Sequence, residues 1–333
     1  MKSKSLKMRI EFLFEKYSLE KSKGIDAFIS AVNSAYYKFA ASLYEDHQDN
    51  LDPIYQSFFS QLEPGYALVD IGGGTGHTYR VVERLGYQYS HYYFIEPARE
   101  MSDRLGVQSE RLTVINEFIE QCWQMLSKKT DVPRVFIVSA CLHHIIYLDA
   151  FLTNLKAAMG PRDVFLIAHE PNSAYHRTLV ALIRKIYLFS LKNAFLNAAR
   201  ALKYFLIRKP RQAPDLGQHL RSAREELVRN QIVSPEFSET MVYAVTDYQV
   251  ELNWKDISVP SLYRKDGYLT IERVAEKFLS DPFFLKTYRH LTYLPKTKID
   301  LIVDSLLRLL FPKGGYFFFS AFGTPRFRSK NGA

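Results

Sequence analysis

Two histidines in tandem, His143 and His144, come shortly after an apolar run, Pro133-Arg-Val-Phe-Ile-Val-Ser139, that reads as a buried strand. Neutral imidazole takes up a proton near neutrality, so either ring could act as a general base. A second polar pair, His169 and Glu170, ends a further strand-like run that starts at Arg162. Glu170 reads either as a contact to an acceptor or as a cap on the next helix. Upstream, Tyr66-Ala-Leu-Val-Asp-Ile71 leads into Gly72, Gly74 and Gly76. The run is continuously apolar, as in a parallel strand buried on both faces. The glycines let the backbone turn tightly and leave bare main chain for a ligand. A helix start is predicted at about His77. Open α/β sheets build a nucleotide-type pocket at this place, beyond the carboxyl end of the first strand.

The spacing selects among nucleotides. A dinucleotide fingerprint begun at Gly72 and Gly74 needs its third glycine at position 77, which holds His77. That argues against a nicotinamide-dependent oxidoreductase. Asp70, Gly72, Gly74, Thr75 and Gly76 instead spell D-x-G-x-G-T-G. This resembles motif I of the class I S-adenosylmethionine-dependent methyltransferases. A second apolar run, His91-Tyr-Tyr-Phe-Ile-Glu96, ends in an acid that can accept hydrogen bonds from two ribose hydroxyls. The bland alternative is an acid at a helix N-terminus, ahead of Ala98-Arg99-Glu100.

The resemblance covers residues 66–172 well and the C-terminal part loosely. It implies S-adenosyl-L-methionine as cofactor and S-adenosyl-L-homocysteine as product, with Glu96 on the ribose and Pro97 opening the next helix. It places Asn116 and Glu117, after a third strand at Arg111–Ile115, near the adenine amino group; plain helix capping is the alternative. It reads Ser139-Ala-Cys-Leu142 as the start of motif IV, with Ser139 and Leu142 among the cofactor residues. His143 falls where some plant-type small-molecule O-methyltransferases carry the base of a His-Asp-Trp run, here His-His-Ile. His144 is the second candidate. Each histidine could instead hydrogen-bond backbone or stack beside the cofactor. Glu170-Pro171-Asn172 also recurs in this family.

The elements that must position these residues follow from pattern and punctuation. The expected fold is α/β: a doubly wound, seven-stranded, mostly parallel sheet with an antiparallel last strand. Residues 1–64 read as an N-terminal helical lid. Its apolar residues recur at helical spacing over Ile25–Tyr44, and a helix from Asp52-Pro53 runs to about Leu62. Tyr36, Tyr37 and Tyr44 are candidate lid contacts. Residues 65–172 are the cofactor core. Residues 173–265 are a basic helical insertion, with helices over about 175–208 and 217–232. Residues 266–325 complete the sheet with a helix at 270–279, strand six at 284–293, a helix at 296–310 and a last strand at 316–322.

Composition bounds the rest. With 47% hydrophobic residues the chain buries a full core and is no disordered tail. Cys122 and Cys141 are the only cysteines, so there is no disulfide scaffold, and no metal-ligand cluster is evident. No stretch reaches the roughly 20 apolar residues of a membrane span, and the basic N-terminus lacks the core of a secretory signal. A cytoplasmic protein is expected. The net charge of +9 is carried by residues 177–229, which hold twelve Lys or Arg against three acids. Three readings stand: a cap helix with a wet charged face, peripheral contact with an anionic membrane surface, or an anionic partner such as nucleic acid. Motif IV lacks the proline that base-modifying enzymes of this fold carry, which argues against nucleic acid. A nucleophilic Cys141 would need an electropositive neighbourhood.

The function expected is methyl transfer from S-adenosylmethionine to a small-molecule acceptor, O- or N-directed, aromatic or lipid-like. The rival is a catalytically silent protein that only holds the cofactor or its product.

Overall fold

A computed structural model of the chain describes residues 6–40, 51–128, 130–145, 147–172, 175, 179, 216–246, 251–252, 260–261, 270–290, 298–325 and 327. The sheet is built from β1 (Ala67–Ile71), β2 (His91–Ile95), β3 (Leu112–Ile115), β4 (Arg134–Ser139), β5 (Val164–Pro171), β8 (Phe284–Tyr288) and β9 (Phe317–Gly323). A separate ribbon pairs β6 (Glu251–Leu252) with β7 (Pro260–Ser261). The seven-stranded sheet has the order β3-β2-β1-β4-β5-β9-β8. β1 through β5 run parallel, and β9 is antiparallel to both its neighbours. The chain leaves β1 in one direction across the sheet and returns through β4 in the other. That reversal puts the ends of β1 and β4 at the topological switch point, where such sheets bind ligands.

Every residue of β1 is buried, as is all of β4 except Ser139. That is the reason the sequence shows continuous apolar runs there. One face of the sheet packs on α3 (Asp52–Phe59) and α4 (His77–Leu85) through Tyr55, Phe58, Tyr79 and Val82. The short helix α5 (Arg99–Ser102) follows β2. The other face packs on α6 (Ile119–Leu126), α7 (Leu148–Ala158) and α10 (Ile271–Phe278). Local signals start and stop these helices: Pro53 sits in the first turn of α3, left-handed Gly86 ends α4, and the Thr270 hydroxyl caps α10 by accepting from the Arg273 N–H. α11 (Lys298–Leu310) precedes β9.

A third cluster joins four helices and the loop between the last two. α1 (Leu6–Tyr17) and α2 (Gly24–Ala40) pack with α8 (Leu216–Arg229) and α9 (Glu239–Thr246) through Phe14, Phe28, Val32, Leu227, Phe237 and Val242. Thus the first two N-terminal helices share a core with the described part of the insertion, while α3 belongs to the sheet. The helix expected over 175–208 lies outside the described residues except Tyr175 and Leu179, and so does Tyr44.

Two strand limits differ from expectation. β5 continues through Glu170 and Pro171, because a bulge at left-handed His169 (φ 53°) carries it on to pair Glu170 with Phe318 of β9. β8 stops at Tyr288 rather than at 293, because Arg289 takes φ 62° and leaves the extended region. Among the described residues, no helix is long and apolar enough to cross a membrane.

Candidate active site

The turn after β1 is stapled to the end of β2. The N–H groups of Gly72 and Gly73 both donate to Ile95 O, at 2.8 and 3.1 Å. Gly72 and Gly74 have φ of 71° and 58°, which explains glycine at those positions. Space matters as well at Gly72, where an added Cβ would overlap the Cys141 sulfur. Gly76 caps α4, Thr75 is buried, and the Thr75 carbonyl accepts from Arg80 at 2.7 Å.

Glu96, directly after β2, meets both the start of the next helix and the glycine turn. Its Oε1 accepts from the Ala98 N–H at the start of α5, and its Oε2 accepts from the Gly74 N–H, both at 2.9 Å. One carboxylate therefore joins the glycine turn to the next loop. Burial pushes its carboxyl up to about 7, against the two backbone donors that favour the charged form. Pro97 is half-buried between these contacts. Asn116 donates to Glu96 O at 2.9 Å and to Ser102 Oγ at 2.6 Å, so it braces the loop behind Glu96. Glu117 is exposed.

Asp70 is fully buried on β1. Its Oδ2 accepts from the Tyr92 hydroxyl at 2.8 Å, and its Oδ1 has no hydrogen-bond partner among the described residues. Burial, and secondarily the Glu96 charge, push its carboxyl up to about 7. His77 occupies the first turn of α4; burial, with Arg80 and Arg84 nearby, pushes it down to about 4, so it is neutral at pH 7.

Across the switch point, Ser139 ends β4, and left-handed Ala140 (φ 49°) turns the chain into a single helical turn at Leu142–His144. Glu170 anchors that turn from inside the neighbouring strand. Its Oε1 accepts from the Leu142 N–H at 2.6 Å, and its Oε2 lies 3.1 Å from His143 Nδ1. Glu170 is fully buried, and the His143 side chain is 14% exposed. His144 lies beside His143 with ring centroids 4.1 Å apart and planes tilted by 43°. Its Nδ1 bonds the Thr246 carbonyl, and its ring meets Tyr37 edge-on at 6.1 Å.

His169 and Glu170, read together from the sequence, part in the structure. The bulge turns His169 away, where it bonds the Tyr288 hydroxyl and stacks on Phe317 with centroids 4.4 Å apart. Burial pushes it down to about 3, so it is a neutral packing residue. Cys141 is no activated thiol: burial, with the charges of Glu96, Glu170 and Asp70, raises it well above the usual range.

Tyr55 was not evident in the sequence. Its hydroxyl lies 3.1 Å from Ser139 Oγ and 3.5 Å from Thr78 Oγ1, joining the end of β4 to the first turn of α4. Burial pushes it up to about 12, so it stays protonated. Its signal was only one aromatic among three on α3.

A doubly wound sheet with a glycine turn at the switch point, an acid after β2 and a polar turn after β4 is the architecture of a class I methyltransferase. Residues 44–236, more than half of the chain, match the family model described as a methyltransferase domain, and the chain belongs to that family. No curated protein matches the sequence. An S-adenosylmethionine-dependent methyltransferase from Mesorhizobium loti is 16% identical with a TM-score of 0.29, over 37% of this chain and 55% of that one. The plantazolicin methyltransferase BpumL, solved with a triazolic desmethylPZN analog and SAH, is 11% identical with a TM-score of 0.39, over 90% and 97%. A putative methyltransferase in complex with the Haloferax volcanii Trm112 activator is 8% identical with a TM-score of 0.42, over 89% and 98%. The chain spans little more than half the length of the Mesorhizobium loti protein.

Proposed function

We propose that the chain binds S-adenosylmethionine at the glycine turn and methylates a small-molecule acceptor, with His143 as general base. The observation that carries this reading is the placement of Glu170 between His143 and the backbone of the β4 turn.

The residues fit such a cofactor. The Gly72–Gly76 turn offers bare main chain in left-handed conformations that a side chain would disfavour. Glu96 supplies a buried carboxylate beside that turn for the ribose hydroxyls. Asp70 Oδ1, without a hydrogen-bond partner among the described residues, is buried on β1 just ahead of that turn. Thr75, Pro97, Asn116, Glu117, Ser139 and Leu142 complete the proposed cofactor set, Asn116 by bracing Glu96 and Ser139 through Tyr55. When bound, S-adenosylmethionine supplies a methyl group on a positively charged sulfur, open to in-line attack.

The chain's own work is alignment, exclusion of water and removal of one proton. Alignment of two bound reactants supplies up to about 7–11 kcal/mol in well-oriented cases. A hydroxyl or ammonium acceptor must also lose a proton. Glu170 accepts the Nδ1–H of His143, which fixes the tautomer and leaves Nε2 with the lone pair that takes that proton. The acceptor is O- or N-nucleophilic, and aromatic or lipid-like given the apolar, basic insertion at 173–265. The two free thiols support a cytoplasmic setting. The basic stretch at 177–229 suits peripheral contact with an anionic membrane surface.

The test is methyl transfer from radiolabelled S-adenosylmethionine to a panel of phenols, amines and amphiphiles, with wild type and His143→Ala. Transfer by wild type that drops by about 10² or more in the variant supports the reading. Cofactor binding without turnover on any acceptor would favour the silent binder instead.

A further inference from the structure

The sequence offers His143 first and His144 second as the base, and the structure holds them differently. His143 is held by a carboxylate from the sheet, whereas His144 is held by the helical cluster formed by α1, α2, α8 and α9. We infer that His144 is a positioning residue that latches this helical cap over the cofactor turn, acting through Thr246 and Tyr37 rather than by proton transfer. The inference rests on the reading of the glycine turn as the cofactor site.

The cap has its own apolar core, distinct from the two that cover the sheet. It meets the sheet domain above the carboxyl ends of the parallel strands. Tyr37 of α2 packs on Ala98 and Met101, at the start of and within α5, just after Glu96. The Met101 methyl in turn lies 3.6 Å from where a Cβ on Gly74 would stand. A chain of contacts thus runs from the cap to the glycine turn.

The second meeting point is His144. Thr246 is the last described residue of α9, and its carbonyl points at His144. His144 Nδ1 donates to that carbonyl, and Thr246 is itself buried. Tyr37 presses on the same ring at 6.1 Å, and Tyr36 and Tyr243 extend the aromatic stack into the cap. One imidazole therefore serves both halves of the cap, an N-terminal helix and an insertion helix. A group that donates through Nδ1 to the backbone of α9 is tied to that helix, and reorienting it for catalysis would undo the cap. His143, its neighbour, has the carboxylate partner that a base needs.

The experiment compares His144→Ala with His144→Asn, since an asparagine amide can reproduce the Nδ1 donor and has no basic nitrogen. Tyr37→Ala is the second probe, should His144→Ala fail to fold. Three readouts are taken: amide hydrogen exchange of α2 and α9, the dissociation rate of S-adenosylhomocysteine, and the pH profile of kcat. Expected for His144→Ala and Tyr37→Ala is at least tenfold faster exchange in α2 and α9 and at least tenfold faster product release. His144→Asn should restore both, and every variant should keep the wild-type pH profile. The inference is overturned if His144→Ala leaves exchange unchanged, if His144→Asn exchanges and releases product as fast as His144→Ala, or if either variant loses the acidic limb of the profile. Exchange is read without any cofactor, so a failure of the cofactor reading would show separately, as absent binding in wild type.

Discussion

Glu170 Oε2 lies 3.1 Å from His143 Nδ1, on a carboxylate whose other oxygen accepts from the Leu142 N–H. One buried side chain therefore fixes both the backbone of the β4 turn and the tautomer of the histidine it presents. Glu170→Gln tests the division. The glutamine oxygen can keep the Leu142 bond, but its amide would face Nδ1 as a donor. That inverts the tautomer and places the proton on Nε2. We expect kcat to fall by about 10² with cofactor affinity unchanged. Steady-state kinetics alongside calorimetry check this; equal losses in both would contradict it.

The glycine turn separates strain from recognition. Alanine at position 74 meets only the Met101 methyl, at 3.6 Å, and pays the left-handed φ alone, about 1–2 kcal/mol. Alanine at position 72 adds overlap with Cys141 to a similar backbone cost, about 1–3 kcal/mol more. Urea unfolding should rank Gly72→Ala as less stable than Gly74→Ala. Both should lose cofactor binding.

Asp70 makes stability depend on pH. Its carboxyl stands at about 7 in the folded chain against 3.8 in the open chain, because burial disfavours its charge. A raised folded value means its contribution is full below about pH 4 and is lost as pH rises through about 7. Asp70→Asn cannot ionise. Thermal melts should show the variant gaining on wild type between pH 4 and pH 7, by on the order of 2–4 kcal/mol, and a constant difference above pH 8. A difference independent of pH would contradict the assignment.

The structural ion pair should behave otherwise. Arg134 donates to Asp163 through Nε and Nη2 at 3.0 and 2.7 Å, to Ala158 O at 2.7 Å and to Leu126 O, all in the interior. Arg134→Met leaves Asp163 buried with its charge uncompensated. Denaturation should show a loss of about 3–5 kcal/mol. The cofactor dissociation constant of the fraction that stays folded should not change.

The centre of the sheet was legible because β1, β4 and β5 are buried on both faces, and continuous apolar runs ending in polar residues mark them directly. The glycine turn, Glu96 and the tandem histidines were legible because their chemistry is local in sequence. What escaped depends on long-range contact. Nothing near His144 announces Thr246, 102 residues away, and nothing near Ser139 announces Tyr55. The bulge at His169 could not be read either, because it is set by pairing with β9. The periodicity of residues 25–44 marks a helix, but a helix pattern does not say whether its partner is the sheet or the insertion.

The most direct test of the account is calorimetric titration of S-adenosylhomocysteine into wild type and Glu96→Ala from pH 5.5 to pH 8.5. Glu96 stands at about 7 in the free protein, and a carboxylate must be charged to accept from two ribose hydroxyls. The account predicts affinity that is constant above pH 8 and weakens up to about tenfold per unit as pH falls below 7. Glu96→Ala should bind at least about tenfold more weakly at pH 8, with this pH dependence reduced, two hydrogen bonds to a charged acceptor having been removed. Binding by a folded Glu96→Ala variant as tight as wild type, or no binding by wild type at any pH, would contradict it.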